Sequence, residues 1–160
     1  MRIICLFTVL VSLILALPAK AAVMLIYHHV ADDTPRVSSV TANELRQHLQ
    51  YFKDNNFQVI GLDVLINQLR NKLPIADNSV VITFDDSFEN NYTTAHPILM
   101  EFGFPYTIFI SPGSIDNRVG PVLSWDQVRK MAADGVLVAN HSMNHEHMTQ
   151  LEPGESMADW

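Results

Sequence analysis

The chain holds 160 residues with a net charge of -7, 48% hydrophobic and 17% charged residues, and one cysteine. That length suits one packed domain and leaves little room for two, and the apolar fraction is too high for a disordered chain. An acidic balance with scattered basic residues argues against nucleic acid or an anionic membrane as partner, and a single cysteine excludes an internal disulfide and any CxxC metal or redox motif.

In chain order, Met1-Arg2 is a short positive stretch, followed by an apolar run over residues 3–17, a break at Pro18 and the small-x-small triplet Ala19-Lys20-Ala21. This pattern predicts a secretory signal peptide over residues 1–21, with an apolar core near the usual ~7–15 residues and cleavage after Ala21. A membrane anchor is the competing reading and the weaker one, because a spanning helix takes about 20 apolar residues. Cys5 lies too deep in the run to be a lipoprotein attachment point. Cleavage would leave 139 residues, 22–160, and the loss of Arg2 and Lys20 would shift the net charge from -7 to -9. The expected product is secreted or periplasmic, has no stable membrane insertion, and depends on core packing in place of disulfides.

After residue 21, short apolar runs alternate with helical patterns. Residues 23–27 read as a buried strand and 31–40 as a polar loop. Thr41 with Glu44 forms a capping box, ahead of a helix with Leu45, Leu49 and Phe52 on one face. A strand over 57–60 leads to a helix marked by Leu62, Leu65, Ile66 and Leu69, then to a loop over 71–78. Val80-Val81-Ile82-Thr83-Phe84 is the strongest strand in the chain and ends in Asp85-Asp86. A helix carrying Ile98, Leu99 and Phe102 follows, with Gly103 as its stop. Residues 105–110 read as a strand and 111–123 as a loop. Ser124 with Gln127 opens a helix through Val128 and Met131 that stops at Gly135. The strand 136–139 then runs into Asn140-His141.

Strands alternating with helices of about ten residues predict βα units and a parallel sheet, with five strands readable. Chemistry in such folds sits at the C-terminal ends of the strands. The candidate site therefore combines Tyr27-His28-His29, Asp85-Asp86 and Asn140-His141. Taken alone, Asp85-Asp86 is most simply a polar strand end. A glycosidase pair fits poorly, because adjacent strand residues point to opposite faces. One aspartate holding a metal while its neighbour reaches water is the arrangement adjacent carboxylates suit. His141-Ser142-Met143-Asn144-His145 offers two imidazoles to one ion if the segment makes a helical turn, a weak signal by itself. It is not HExxH, since Ser142 stands where glutamate is required. A zinc deaminase lacks its cysteines here. Together the two segments supply three ligands, an open position and a spare carboxylate, the inventory of a hydrolytic metal site.

Thr83-Phe84-Asp85-Asp86 and His141-Ser142-Met143-Asn144-His145 resemble the first two signature motifs of the polysaccharide deacetylases, carbohydrate esterase family 4 (the chitooligosaccharide-deacetylase homology domain). Leu25-Ile26-Tyr27-His28-His29-Val30 resembles the opening strand of the subgroup acting on poly-N-acetylglucosamine. Pro97-Ile98-Leu99, Phe109-Ile110 and Leu123-Ser124-Trp125-Asp126-Gln127-Val128 agree with that pattern, so the resemblance runs from Val23 to Met148. It implies an α/β fold, a distorted (β/α) barrel, and metal-dependent removal of N-acetyl groups from an aminosugar polysaccharide: poly-N-acetylglucosamine, a chitin-like polymer or a peptidoglycan glycan. By the same resemblance Asp85 is the general base, and Asp86, His141 and His145 hold a divalent ion, zinc before cobalt, nickel or iron.

Two departures stand out. The family usually has glycine where this chain has Ser87, at a cost of about 1 kcal/mol if the turn needs positive φ. Its later motifs, including an arginine that orients the base and a Leu-x-His general acid, have no counterpart here. The expectation is thus the N-terminal portion of the barrel, a deacetylase domain over 22–160 that is C-terminally truncated, with an exposed edge and marginal stability. A catalytically inactive metal- or glycan-binding remnant is the alternative. One of His28 and His29 should face the interior, either touching substrate or the groups around the metal or, the simpler role, as a buried histidine bonded to backbone. Tyr27, Phe84 and Trp125 are expected in the core or at its rim and not as sugar-stacking platforms. His147 is expected at the surface.

Overall fold

A computed structural model describes residues 22–146 together with Gly154 and Ser156. The signal-peptide stretch, His147 and Met148 lie outside the described residues. The elements run β1 (Val23–Tyr27), β2 (His29–Val30), β3 (Ser39–Val40), α1 (Ala42–Asp54), β4 (Gln58–Val59), α2 (Leu62–Arg70) and β5 (Ser79–Phe84). A π-helical turn (Asn91–Ala95) leads into α3 (His96–Phe102), followed by β6 (Thr107–Ile110), α4 (Pro112–Asn117), α5 (Trp125–Ala133) and β7 (Leu137–Asn140).

Five strands make one parallel sheet in the order β1-β5-β6-β7, with β4 also beside β5. All six residues of β5 are buried, as a continuous β-branched run at the centre of a parallel sheet should be. Tyr27 lies opposite Phe84, Phe84 opposite Ile108, and Ile110 opposite Asn140. This register brings the C-terminal ends of β1, β5, β6 and β7 to one edge. The next residues in the chain are His28, Asp85, Ser111 and His141.

Both expected capping boxes form. The Glu44 backbone N–H donates to Thr41 Oγ1 at 3.0 Å, and Glu44 Oε2 accepts from the Thr41 N–H at 2.7 Å. Ser124 and Gln127 do the same for α5. From its capped start α1 lays Leu45, Leu49 and Phe52 into the core, each stabilising by about 1.5–3 kcal/mol relative to exposure. They join Phe84, Ile82, Leu99, Ile108 and Met131 in one cluster. Gly103 ends α3 in the left-handed region, φ 68°.

Three readings of the sequence need correction. Residues 23–27 form a strand that is not buried: Val23 is 54% and Ile26 56% exposed. Among the described residues β1 pairs only with β5, so one edge is open. The loop over 31–40 ends in β3, which pairs with β2 in a small second sheet. The loop over 111–123 contains α4, started by Pro112 in its first turn.

Candidate metal centre

The site is built from residues just past the strand ends. The Asp85 backbone N–H donates to Tyr27 O at 2.9 Å and the His141 N–H to Ile110 O at 2.8 Å, so the sheet's own ladder fixes where both motifs leave it. Beyond Asp85 the backbone turns through two consecutive left-handed residues, Asp86 at φ 72° and Ser87 at φ 62°. That conformation costs an L-residue of order 1 kcal/mol, and Ser87 offsets it. Its side chain is fully buried, and its Oγ accepts the Ser111 backbone N–H at 2.8 Å. Glycine could not make that bond.

The second motif makes no helical turn, the condition under which its spacing alone would join the two imidazoles. Ser142 (φ 62°) and His145 (φ 58°) are left-handed, and the His145 backbone N–H donates to Ser142 Oγ at 3.0 Å. This side-chain turn brings the two imidazoles together, with ring centroids 4.9 Å apart. Two contacts from the β6 exit hold the loop down. Ser111 Oγ donates to His141 O at 2.9 Å, and the Gly113 N–H donates to Met143 O at 2.7 Å. Only glycine fits at 113, because a Cβ there would lie 2.2 Å from Asn144 Oδ1 and 2.7 Å from Met143 O.

One carboxylate oxygen is the centre of the cluster. Asp86 Oδ1 lies 3.1 Å from His141 Nε2 and 2.9 Å from His145 Nε2. One ligand atom from each of the three residues falls within 4.8 Å of the other two. That oxygen is buried and makes no hydrogen bond despite its two close nitrogens. A buried unsatisfied carboxylate oxygen costs about 1–3 kcal/mol or more. Two imidazoles and a carboxylate pointed at one place, without bonding each other, fit a divalent ion of the zinc class. Asp86 and His141 are partly buried and His145 is exposed, so one side opens to solvent.

His28 approaches the second oxygen, with Nε2 3.9 Å from Asp86 Oδ2. His29 turns away to stack on Phe88 at 3.5 Å between centroids, and its Nδ1 accepts from Asn90 Nδ2 at 3.1 Å. Asn90 Oδ1 also accepts the Val30 N–H at 3.1 Å. Burial holds the His29 ring below the ordinary imidazole range, in keeping with a neutral, accepting Nδ1. Burial likewise raises the Asp85 carboxyl above its usual range, opposed chiefly by the neighbouring His141 and His28. Asp86 lies close enough to add to the rise.

The structure therefore brings Asp86, His141 and His145 together, with Asp85 and His28 beside them. Sequence reasoning did not find Ser111, Gly113 or Asn90, which position the site through contacts far apart in the chain. Tyr27 and Phe84 are core residues, and Trp125 stands at the rim of a neighbouring cleft.

A family model described as polysaccharide deacetylase matches residues 72–159. The YxkH protein of Bacillus subtilis (strain 168) is 28% identical over 142 residues, covering 89% of this chain and 49% of that protein. The poly-beta-1,6-N-acetyl-D-glucosamine N-deacetylase of Escherichia coli (strain K12) is 28% identical over 150 residues, 83% of this chain and 22% of that protein. Among solved structures, the Streptococcus pyogenes deacetylase PplD in complex with acetate matches with a TM-score of 0.72 and 26% identity. The match covers 82% of this chain and 61% of that one. The chain thus spans about half or less of the length of these curated relatives, and it covers only part of the deacetylase (β/α)-barrel.

Proposed function

The chain belongs to the polysaccharide deacetylase family, and on that premise we propose that it hydrolyses N-acetyl groups on an aminosugar polysaccharide, using Asp85 as base beside a metal held by Asp86, His141 and His145. The observation that carries this reading is the buried, unbonded Asp86 Oδ1 with two imidazole nitrogens within 3.1 Å. Bound there, a divalent ion, zinc first among the candidates, would supply Lewis-acid polarisation of water and of the acetamide carbonyl.

The remaining chemistry belongs to the chain. Asp85 accepts a proton from the attacking water. Burial raises its carboxyl, which makes it a stronger base than an exposed aspartate and moves it toward the pH at which it works. Water adds to the carbonyl carbon to give a tetrahedral intermediate. As this collapses the carbon–nitrogen bond breaks and the nitrogen takes up the proton that Asp85 accepted, so acetate leaves and the sugar keeps a free amine. His28 stands by the outer oxygen of Asp86, where it can hold that carboxylate in orientation. The open side at His145 admits a polymer chain, whose neighbouring residues need not be enclosed. Glycan polymers lie outside the cell membrane, which agrees with the signal-peptide pattern over 1–21, and no helix among the described residues is long and apolar enough to cross a membrane.

The test is acetate release from β-1,6- and β-1,4-linked N-acetylglucosamine oligomers by the zinc-loaded chain. Asp85→Asn is expected to keep the metal and to lower turnover by about a hundredfold or more. Bound zinc without any acetate release would instead favour the inactive, metal-binding alternative.

A further inference from the structure

A second cleft opens beside the Asp85–Ser87 turn. Its volume is about 510 Å³, within the roughly 300–1,000 Å³ of small-molecule sites. One wall is the segment before α5, and it is tied to the turn. The Leu123 N–H donates to Ser87 O at 2.9 Å, and Phe88 bridges to Val122. Helices of a parallel α/β fold begin on the side where the strands end. Trp125, the first residue of α5, therefore lies on the same face as the metal centre.

Three properties of the lining specify a ligand. Trp125 is 36% exposed, although its indole N–H is already satisfied by Asp116 Oδ1 at 2.7 Å. That bond fixes one edge of the ring, so the part of Trp125 left open to the cleft is apolar carbon surface. Carboxylates and guanidiniums are interspersed around it, Asp116, Asp126 and Glu89 with Arg118 and Arg129. Such a nearly balanced set carries no strong field of either sign and offers donors and acceptors side by side, as hydroxyl and acetamido groups require. Gln127 Nε2 donates to Glu89 Oε1 at 3.3 Å and so links α5 to the segment that follows the metal-centre turn.

We propose that this cleft is a second subsite for the glycan, with Trp125 as the platform on which a pyranose ring stacks while another sugar of the same chain faces Asp86, His141 and His145. This inference rests on the reading of the substrate as an acetylated aminosugar polymer. It also revises the expectation that Trp125 is merely a rim residue.

The protein has two tryptophans, so Trp160→Phe leaves Trp125 as the sole reporter. Titrating that variant with a β-1,6-linked N-acetylglucosamine tetramer is expected to give a saturable change in fluorescence, retained when Asp86→Ala is added. In the unaltered background, Trp125→Ala is expected to weaken calorimetric affinity for the tetramer by about tenfold or more, the equivalent of one lost stacking contact. Its zinc content should not change. Trp125→Leu keeps apolar volume without the flat face, so the same loss in that variant guards against a folding defect. No fluorescence change, or parental affinity in either Trp125 variant, overturns the subsite. Binding lost in Asp86→Ala but kept in Trp125→Leu places the glycan at the metal centre alone, which overturns the subsite and leaves the proposed hydrolysis standing. Binding through Trp125 with no acetate release does the reverse.

Discussion

Two histidine–aspartate clusters lie at opposite ends of the sheet, and they are built to different rules. At the N-terminal end of β6, His96 is buried with both ring nitrogens engaged. Nδ1 meets the Tyr106 hydroxyl at 2.8 Å and Nε2 meets Asp134 Oδ2 at 3.1 Å. The two ring nitrogens, the Tyr106 hydroxyl and the Asp134 carboxylate thus engage one another. Burial pushes the Tyr106 hydroxyl well above its usual range, so it stays a donor. Lys130 also pairs with Asp134. Every polar atom there has a partner, and the cluster joins α3, β6 and the end of α5. At the other end, Asp86 Oδ1 sits between two imidazoles and bonds neither. The first cluster uses histidine as a strut, and the second gathers three ligand atoms within 4.8 Å of one another around a buried carboxylate oxygen that has no hydrogen bond. Satisfaction, more than residue type, separates structure from site.

The largest expected effect breaks or upholds that contrast directly. Asp86→Ala should lower zinc affinity by more than about a hundredfold, beyond the 10–100-fold typical of residues that only support a ligand. His96→Phe should leave metal stoichiometry untouched while costing about 1–3 kcal/mol of stability through the orphaned, buried Tyr106 hydroxyl. Metal analysis and urea unfolding of the pair suffice, and equal metal loss in both would erase the distinction. Next in size, Gly113→Ala should weaken zinc binding by about tenfold, because its Cβ pushes the loop carrying His141 and His145 away from Asp86. Calorimetric titration with unaltered affinity would show that this loop is not held by the Gly113 contact.

A smaller effect concerns the turn. Ser87→Gly relieves the left-handed strain but leaves the Ser111 N–H without its buried acceptor. The two contributions are each about 1 kcal/mol, so the glycine variant is expected to be no more stable than the parent. A clear rise in melting temperature would mean that strain dominates. The smallest effect lies at the start of α1. Glu44 is pulled down to about 2, first by its hydrogen bond to Arg36 and next by the Thr41 N–H. A carboxyl depressed in the folded state from an unfolded value of about 4.3 contributes stability that is present above that value and lost as pH falls toward about 2. The Arg36 pair is exposed, so the contribution is small and weakened by salt. Melting temperature should fall less steeply between pH 5 and pH 2.5 in Glu44→Gln than in the parent, as an order-of-magnitude window around those two values.

Much of the fold could be read from local pattern. Both capping boxes, the Gly103 stop and the five sheet strands each rest on residues within one short segment. The two-residue strands β2 and β3 could not be read, because pairs that short carry no periodicity and exist only through each other. The α4 helix was hidden by the prolines and glycines around it. Residues 23–27 illustrate a further limit: an apolar run predicts a strand but does not say whether both its edges are covered.

For the site, the sequence alone determined the chemical inventory. Asp85, Asp86, His141 and His145 stand out because carboxylates and imidazoles at strand exits are costly unless they bind something. The tertiary structure decided their geometry. Strand register brought residues 86 and 141 to one edge, a Ser142 side-chain turn joined the two imidazoles without a helix, and Ser87, Ser111 and Gly113 locked two distant loops together. It also decided which histidine faces Asp86, and that Trp125 overlooks a cleft. The ties between the loops and at His29 depend on contacts between residues 24 to 61 positions apart. Local pattern is blind at that range, because what fixes such contacts is the packing of the whole sheet.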